Sequence, residues 1–219
     1  MSLRIPVIYP LCLVLGAVLV TAAALAHPVL GGDGAAQLAA IARSRDWASI
    51  HWGFLFAFPV SITGLIGVVG VNVGTPGERA TRAGLVVAVF AYACWMIIVA
   101  FMLGTGGALA GAYTQGVSGL AATQAVFLYD MLRPFALAAQ RAGGFSLGLA
   151  TTLYGWGVWN GRALPRWTAA VAITAGAAGA ALALAAPASS SLDQAAFAPP
   201  VVWQLVTGLV LLRRPQAAA

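Results

Sequence analysis

The chain has 219 residues, 61% hydrophobic and only 7% charged, with 11 arginines and no lysine, 5 acids and a formal net charge of +6. Apolar residues gathered into contiguous runs exclude an ordinary soluble domain, and arginines set in ones and twos beside those runs exclude a nucleic-acid surface. The lack of lysine excludes Schiff-base chemistry with retinal or pyridoxal phosphate.

A bilayer's hydrocarbon core asks for about 20 apolar residues per helix. The first stretch that qualifies covers residues 5–26, with Pro6 and Pro10 near its start. Its end, Ala24-Leu25-Ala26 before His27, also fits the small-residue pattern of a signal-peptide cleavage site. The run is long enough to stay as a span, and we read it so. In the loop 27–49, Asp33 is placed to cap a short interfacial helix whose apolar face carries Leu38 and Ile41. Span two, 51–73, is capped by Ser49 and should kink at Pro59. After a tight turn at 74–82 comes span three, 83–103, which is uncharged. A glycine-rich stretch, 104–119, precedes a mixed segment at 120–139 that carries Gln124, Asp130 and Arg133. Arg133-Pro134 is expected to break any helix there. Span four (142–161), a turn at 162–166, span five (167–186), a polar loop at 187–196 and a short span six (198–212) complete the chain, which then carries Arg213-Arg214.

Arginine placement decides whether 120–139 crosses. With six spans and a cytoplasmic N-terminus, Arg4, Arg79, Arg82, Arg162, Arg166, Arg213 and Arg214 lie inside, leaving Arg43, Arg45, Arg133 and Arg141 outside. A seventh crossing would put the greater number outside, against the positive-inside rule. The expected architecture is therefore all-α: a single-domain polytopic bundle of six transmembrane helices with an outer-side helical segment at 120–139. Both termini face the cytoplasm of a bacterial inner membrane.

Small residues recur at helical spacing in span two (Gly64, Gly67, Gly70, Gly74), span five (Ala172, Gly176, Gly179, Ala183) and span four (Gly144, Gly148). Such stripes let helix backbones approach closely in lipid. They predict a compact bundle with little internal cavity, and they also offer faces for a partner membrane subunit. Trp47 and Trp52 should mark the outer interface and Trp156, Trp159 and Trp167 the inner one, with Trp95 in the core. Cys12 and Cys94 fall inside spans and read as small hydrophobes without a disulfide.

Two constellations hold what chemistry the chain has. His27 closes span one and His51 opens span two, at the same outer depth. Two facing imidazoles there could ligate a metal ion or a haem, with Arg43 and Arg45 on the propionates and Asp33 or Asp46 orienting a ring. Asp130 and Arg133 form an i, i+3 acid–base pair, read first as a structural salt bridge at the outer rim and second as a transport site. Two histidines are too few for a membrane di-iron centre. No paired acids suit magnesium diphosphate, and no Gly-x-Ser-x-Gly or phosphate loop occurs.

The run Arg162-Ala-Leu-Pro-Arg166-Trp167 that opens span five, and Trp203 followed by Leu209-x-Leu211-Leu212-Arg213-Arg214, resemble a family of bacterial multi-helix integral membrane proteins grouped as a domain of unknown function. The resemblance implies an architecture and no reaction. We expect a non-enzymatic accessory or assembly subunit, or a binder of a lipid-like ligand. Membrane lipids are its expected partners and no cofactor is expected; a haem or metal ion on His27 and His51 is the alternative, and a small transporter the third reading.

Overall fold

A computed structural model of the chain describes residues 5–116, 121–187 and 195–214. All regular structure among them is helical: α1 (Ile8–Ala26), α2 (Gly34–Arg43), α3 (Trp47–Asn72), α4 (Glu78–Phe101), a π-helical turn (Met102–Gly106), α5 (Gly107–Gln115), α6 (Ala122–Gly161), α7 (Arg166–Ala185), a 3-10 turn (Ala195–Phe197) and α8 (Ala198–Leu212). Five stretches are long and apolar enough to cross a bilayer: Ile8–Ala26, Trp47–Asn72, Glu78–Gln115, Arg166–Ala185 and Ala195–Leu212. The C-terminal half of α6 is wedged between α4 and α7. Any bilayer those two cross surrounds it as well, so it is the sixth wall.

The six walls close into a ring in the order α1, α3, α4, α6, α7, α8 and back to α1. Glycines set the spacing. A Cβ added at Gly64 would stand 2.5 Å from the Leu13 backbone nitrogen, so α1 and α3 touch backbone to backbone. Between α6 and α7 the approach is mutual, a Cβ on Gly148 meeting the Gly176 carbonyl oxygen at 2.5 Å and one on Gly176 meeting that of Gly148 at 2.5 Å. Without a hydrophobic drive between helices in lipid, this close dispersion contact is what holds them. Most of the stripe residues in spans two, four and five thus face other helices of the ring, while Gly74 is exposed with nothing within 4 Å of a Cβ placed there.

One sequence expectation, a helix break at Arg133-Pro134, is corrected. Residues 120–139 do not form a separate segment: α6 runs 40 residues without a break through Pro134. At 1.5 Å per residue it is about 60 Å long, twice a hydrocarbon core of about 30 Å, so its first half stands beyond the ring. Proline there removes one bond, to the Asp130 carbonyl, and both residues are exposed, where water replaces it. The glycine-rich stretch 104–119 is helical as far as Gln115, because α4 continues through the π turn into α5. The wider turn leaves the Met102 carbonyl facing Trp47, whose indole N–H donates to it at 3.0 Å.

The projecting half of α6, with α2 and α5, forms a cap over one end of the ring. The cap has its own core of Leu30, Leu38, Ile41, Ile98, Met102, Leu109 and Tyr129, separate from the ring core. At the opposite end the α3–α4 turn, the α6–α7 turn and the end of α8 come together: Gly77 packs on Gly157, and Arg214 donates to the Ala163 carbonyl. Among the described residues, Arg79, Arg82, Arg162, Arg166, Arg213 and Arg214 crowd this end beside one acid, Glu78, while Arg43, Arg45, Arg133 and Arg141 sit at the cap end with Asp33, Asp46 and Asp130.

Candidate functional site

Between the ring core and the cap core lies a cavity of about 420 Å³. It corrects the expectation of a compact bundle with little internal cavity. Glycine packing closes the ring near the arginine-rich end, but the two cores meet through large rings (His27, Trp95, Phe101, Phe197) that bridge the gap without filling it. The wall is mostly apolar. Its polar lining includes Gln37 of α2, His27, His51 of α3, and Tyr129, Arg133 and Gln140 of α6.

His51 is one turn inside α3 and only 2% exposed. Its Nδ1 reaches back one turn to the Trp47 carbonyl at 2.7 Å. His27 is the first residue beyond α1, and its Nδ1 contacts the Pro28 carbonyl at 2.8 Å. A carbonyl only accepts, so both Nδ1 atoms carry the proton and both Nε2 atoms keep a lone pair. The two rings meet edge to face, centroids 5.2 Å apart, with the Trp47 ring 4.1 Å from His51 and 5.3 Å from His27. Burial holds His27 below the usual imidazole pKa, and its bond to Pro28 offsets part of that.

On the facing wall the Tyr129 hydroxyl donates to Gln37 Oε1 at 3.0 Å, and Gln37 Nε2 donates to the Gly32 carbonyl at 3.2 Å. Burial pushes the Tyr129 phenol up to about 12, against the pull of the Arg133 charge, so it stays a neutral donor. This pair ties α2 to α6 and fixes the roof. Arg133 is the one formally charged side chain among the described residues that line the cavity, and no acid does.

Of the residues the sequence singled out, His27, His51 and Arg133 come together at this cavity, and the others do not line it. Asp33 caps α2, accepting from Ala36 N at 2.9 Å. Asp46 precedes α3 with no side-chain cap, and Arg43 and Arg45 are exposed. The backbone carbonyls of Pro28 and Trp47, and not Asp33 or Asp46, orient the imidazoles. Asp130 lies against Gly34 at the start of α2, where a Cβ would come 2.3 Å from its Oδ1. Trp47 leaves the interfacial belt: it is buried, whereas Trp52, Trp156, Trp159 and Trp167 are exposed as a belt requires. Sequence reading missed Gln37, Tyr129 and Gln140. The signal was present for Gln37, a polar residue beside Leu38 on the apolar face of α2.

As a metal centre the pair is incomplete. The two ring centroids stand 5.2 Å apart. A single ion would find two nitrogens there, and no group of three His, Cys, Asp or Glu among the described residues is placed to hold a metal.

Comparison with protein-family models, with curated proteins and with solved structures finds no match to this chain.

Proposed function

We propose that this is an integral membrane protein that holds a lipid-like amphiphile in the cavity beneath its cap. One observation carries the reading: a chamber of about 420 Å³ whose mostly apolar lining includes a few polar groups. That volume falls within the range of small-molecule sites, and apolar walls with a few convergent polar groups are their usual build. The role is binding, because the polar groups are engaged in fixing the walls. Tyr129 and Gln37 hold the roof, and each histidine spends Nδ1 on a carbonyl.

The positive-inside rule supports an orientation with the arginine-rich end in the cytoplasm and the cap outside, as in a bacterial inner membrane with both termini cytoplasmic. Native mass spectrometry of the protein released from mild detergent tests the reading. The wild type should retain small amphiphile adducts, and Ala136→Trp, which fills the chamber from a buried wall position, should lose them. The same adducts on both proteins would place the lipid on the outside of the ring and sink the proposal.

A further inference from the structure

We infer that the occupant has a neutral head rich in hydroxyl groups, as in a monoacylglycerol, and that its O–H groups donate to Nε2 of His27 and of His51. The inference rests on the cavity being a ligand site.

The histidines supply the acceptors. Each spends Nδ1 and its proton on a backbone carbonyl, His51 on Trp47 at 2.7 Å and His27 on Pro28 at 2.8 Å. Nε2 of each ring is left with a lone pair and no hydrogen. Both rings line the cavity, and neither Nε2 meets a donor among the described residues. Two donors of the surrounding wall are committed elsewhere: the Trp47 indole N–H goes to the Met102 carbonyl and the Tyr129 hydroxyl to Gln37. Trp47 and Phe54 pack against both rings and hold them in these orientations. His51 is only 2% exposed. An amphiphile that filled the cavity without a donor would strand both acceptors, and a buried hydrogen bond left unmade is costly.

The kind and spacing of the acceptors select the head. The ring centroids stand 5.2 Å apart, within the reach of one small polyol, and a glyceryl head carries two hydroxyls for the two lone pairs. An ionised carboxylate, an ester or an ether has no proton to give them. An ammonium has protons, but the burial that holds His27 below the usual imidazole pKa opposes a positive head in the same way. The apolar part of the wall, with Leu30, Phe54, Ile98, Phe197 and Val201, takes the chain.

The experiment uses the whole protein in lipid nanodiscs and three brominated probes of equal chain length: dibromostearoyl glycerol, its dimethyl ether and dibromostearylamine. Entry is read as bromine quenching of tryptophan fluorescence, taken as the part that disappears in Trp95→Phe, because Trp95 lines the chamber. The glycerol monoester should half-saturate this quenching at about a tenfold lower mole fraction than its ether, the worth of one or two neutral hydrogen bonds. His27→Phe and His51→Phe should each cut that preference about threefold. His27→Gln, which keeps an acceptor, should retain most of it. ¹⁵N NMR of histidine-labelled protein reads the bonds themselves, since the chain has only two histidines. Both unprotonated ring-nitrogen signals should move upfield with the monoester and stay in place with the ether. Equal quenching by monoester and ether in the wild type overturns the hydroxyl head and leaves the ligand chamber standing. Quenching by the amine at a mole fraction as low as the monoester's refutes the neutral head. Nitrogen signals unmoved at saturating monoester remove the two histidines as its partners. No Trp95-dependent quenching by any probe overturns the chamber as a ligand site altogether.

Discussion

At the scale of single residues, His27 couples the chamber to acidity. Its ring is partly buried and titrates below the free value of 6.5, so the folded protein binds protons less readily than the unfolded chain. Stability is therefore full at pH 7 and above. It falls as pH drops through 6.5, where the unfolded chain protonates first, and goes on falling until the folded ring takes up its proton. The thermal midpoint in detergent should decline from pH 7 to pH 5, and His27→Phe should make that decline shallower. An unaltered slope in the variant would show that His27 titrates as a solvent-exposed ring. The histidine pair was legible because two polar rings at the facing ends of consecutive apolar runs have little choice of depth. Arg43 and Arg45 were misplaced by the same logic, since closeness in sequence says nothing about which way a side chain leaves a short helix. Arg43 sits on the polar face of α2, in the last turn, where it favours the helix dipole.

At the scale of helices, the contact between α6 and α7 is the most exacting. Gly148→Ala must push a methyl against backbone atoms of α7, and overpacking of that kind costs about 1–3 kcal/mol. Gly111 in α5 has nothing within 4 Å of where its Cβ would be. Gly111→Ala should be neutral or stabilising by up to about 1 kcal/mol through helix propensity alone. Parallel melting curves in detergent check the pair: equal midpoints would mean that glycine packing does not hold the ring. Small-residue spacing was readable because it needs only the 3.6-residue period. The continuity of α6 was not. Arg133-Pro134 signals a break locally, and what overrides it is the exposure of the proline on a projecting half-helix, with Tyr129, Ala136 and their neighbours buried against the cap and the ring. The chamber was illegible for a related reason: it is the space two cores leave between them, and no residue encodes a space.

At the scale of the whole molecule, arginine counting and packing agree on one partition. Six described arginines with one glutamate gather at one end, and four with three aspartates at the other. In a background of Cys12→Ser and Cys94→Ser, a membrane-impermeant maleimide added to intact cells should label Ala48→Cys at the cap end and spare Asn160→Cys until the cells are broken. Labelling of Asn160→Cys in intact cells would invert the topology. The six-span plan was legible because positive charge is counted along the chain, with no knowledge of packing required. The closure of the ring was not legible, and it has one more consequence. Around the ring each helix is tied to the next by a stretch of chain, except that α8 and α1 are not consecutive in sequence. Every other seam joins helices that follow one another along the chain. The seam between α1 and α8 has no such connection, so it is held by packing alone, tightest where Gly208 meets Val14 and Pro10.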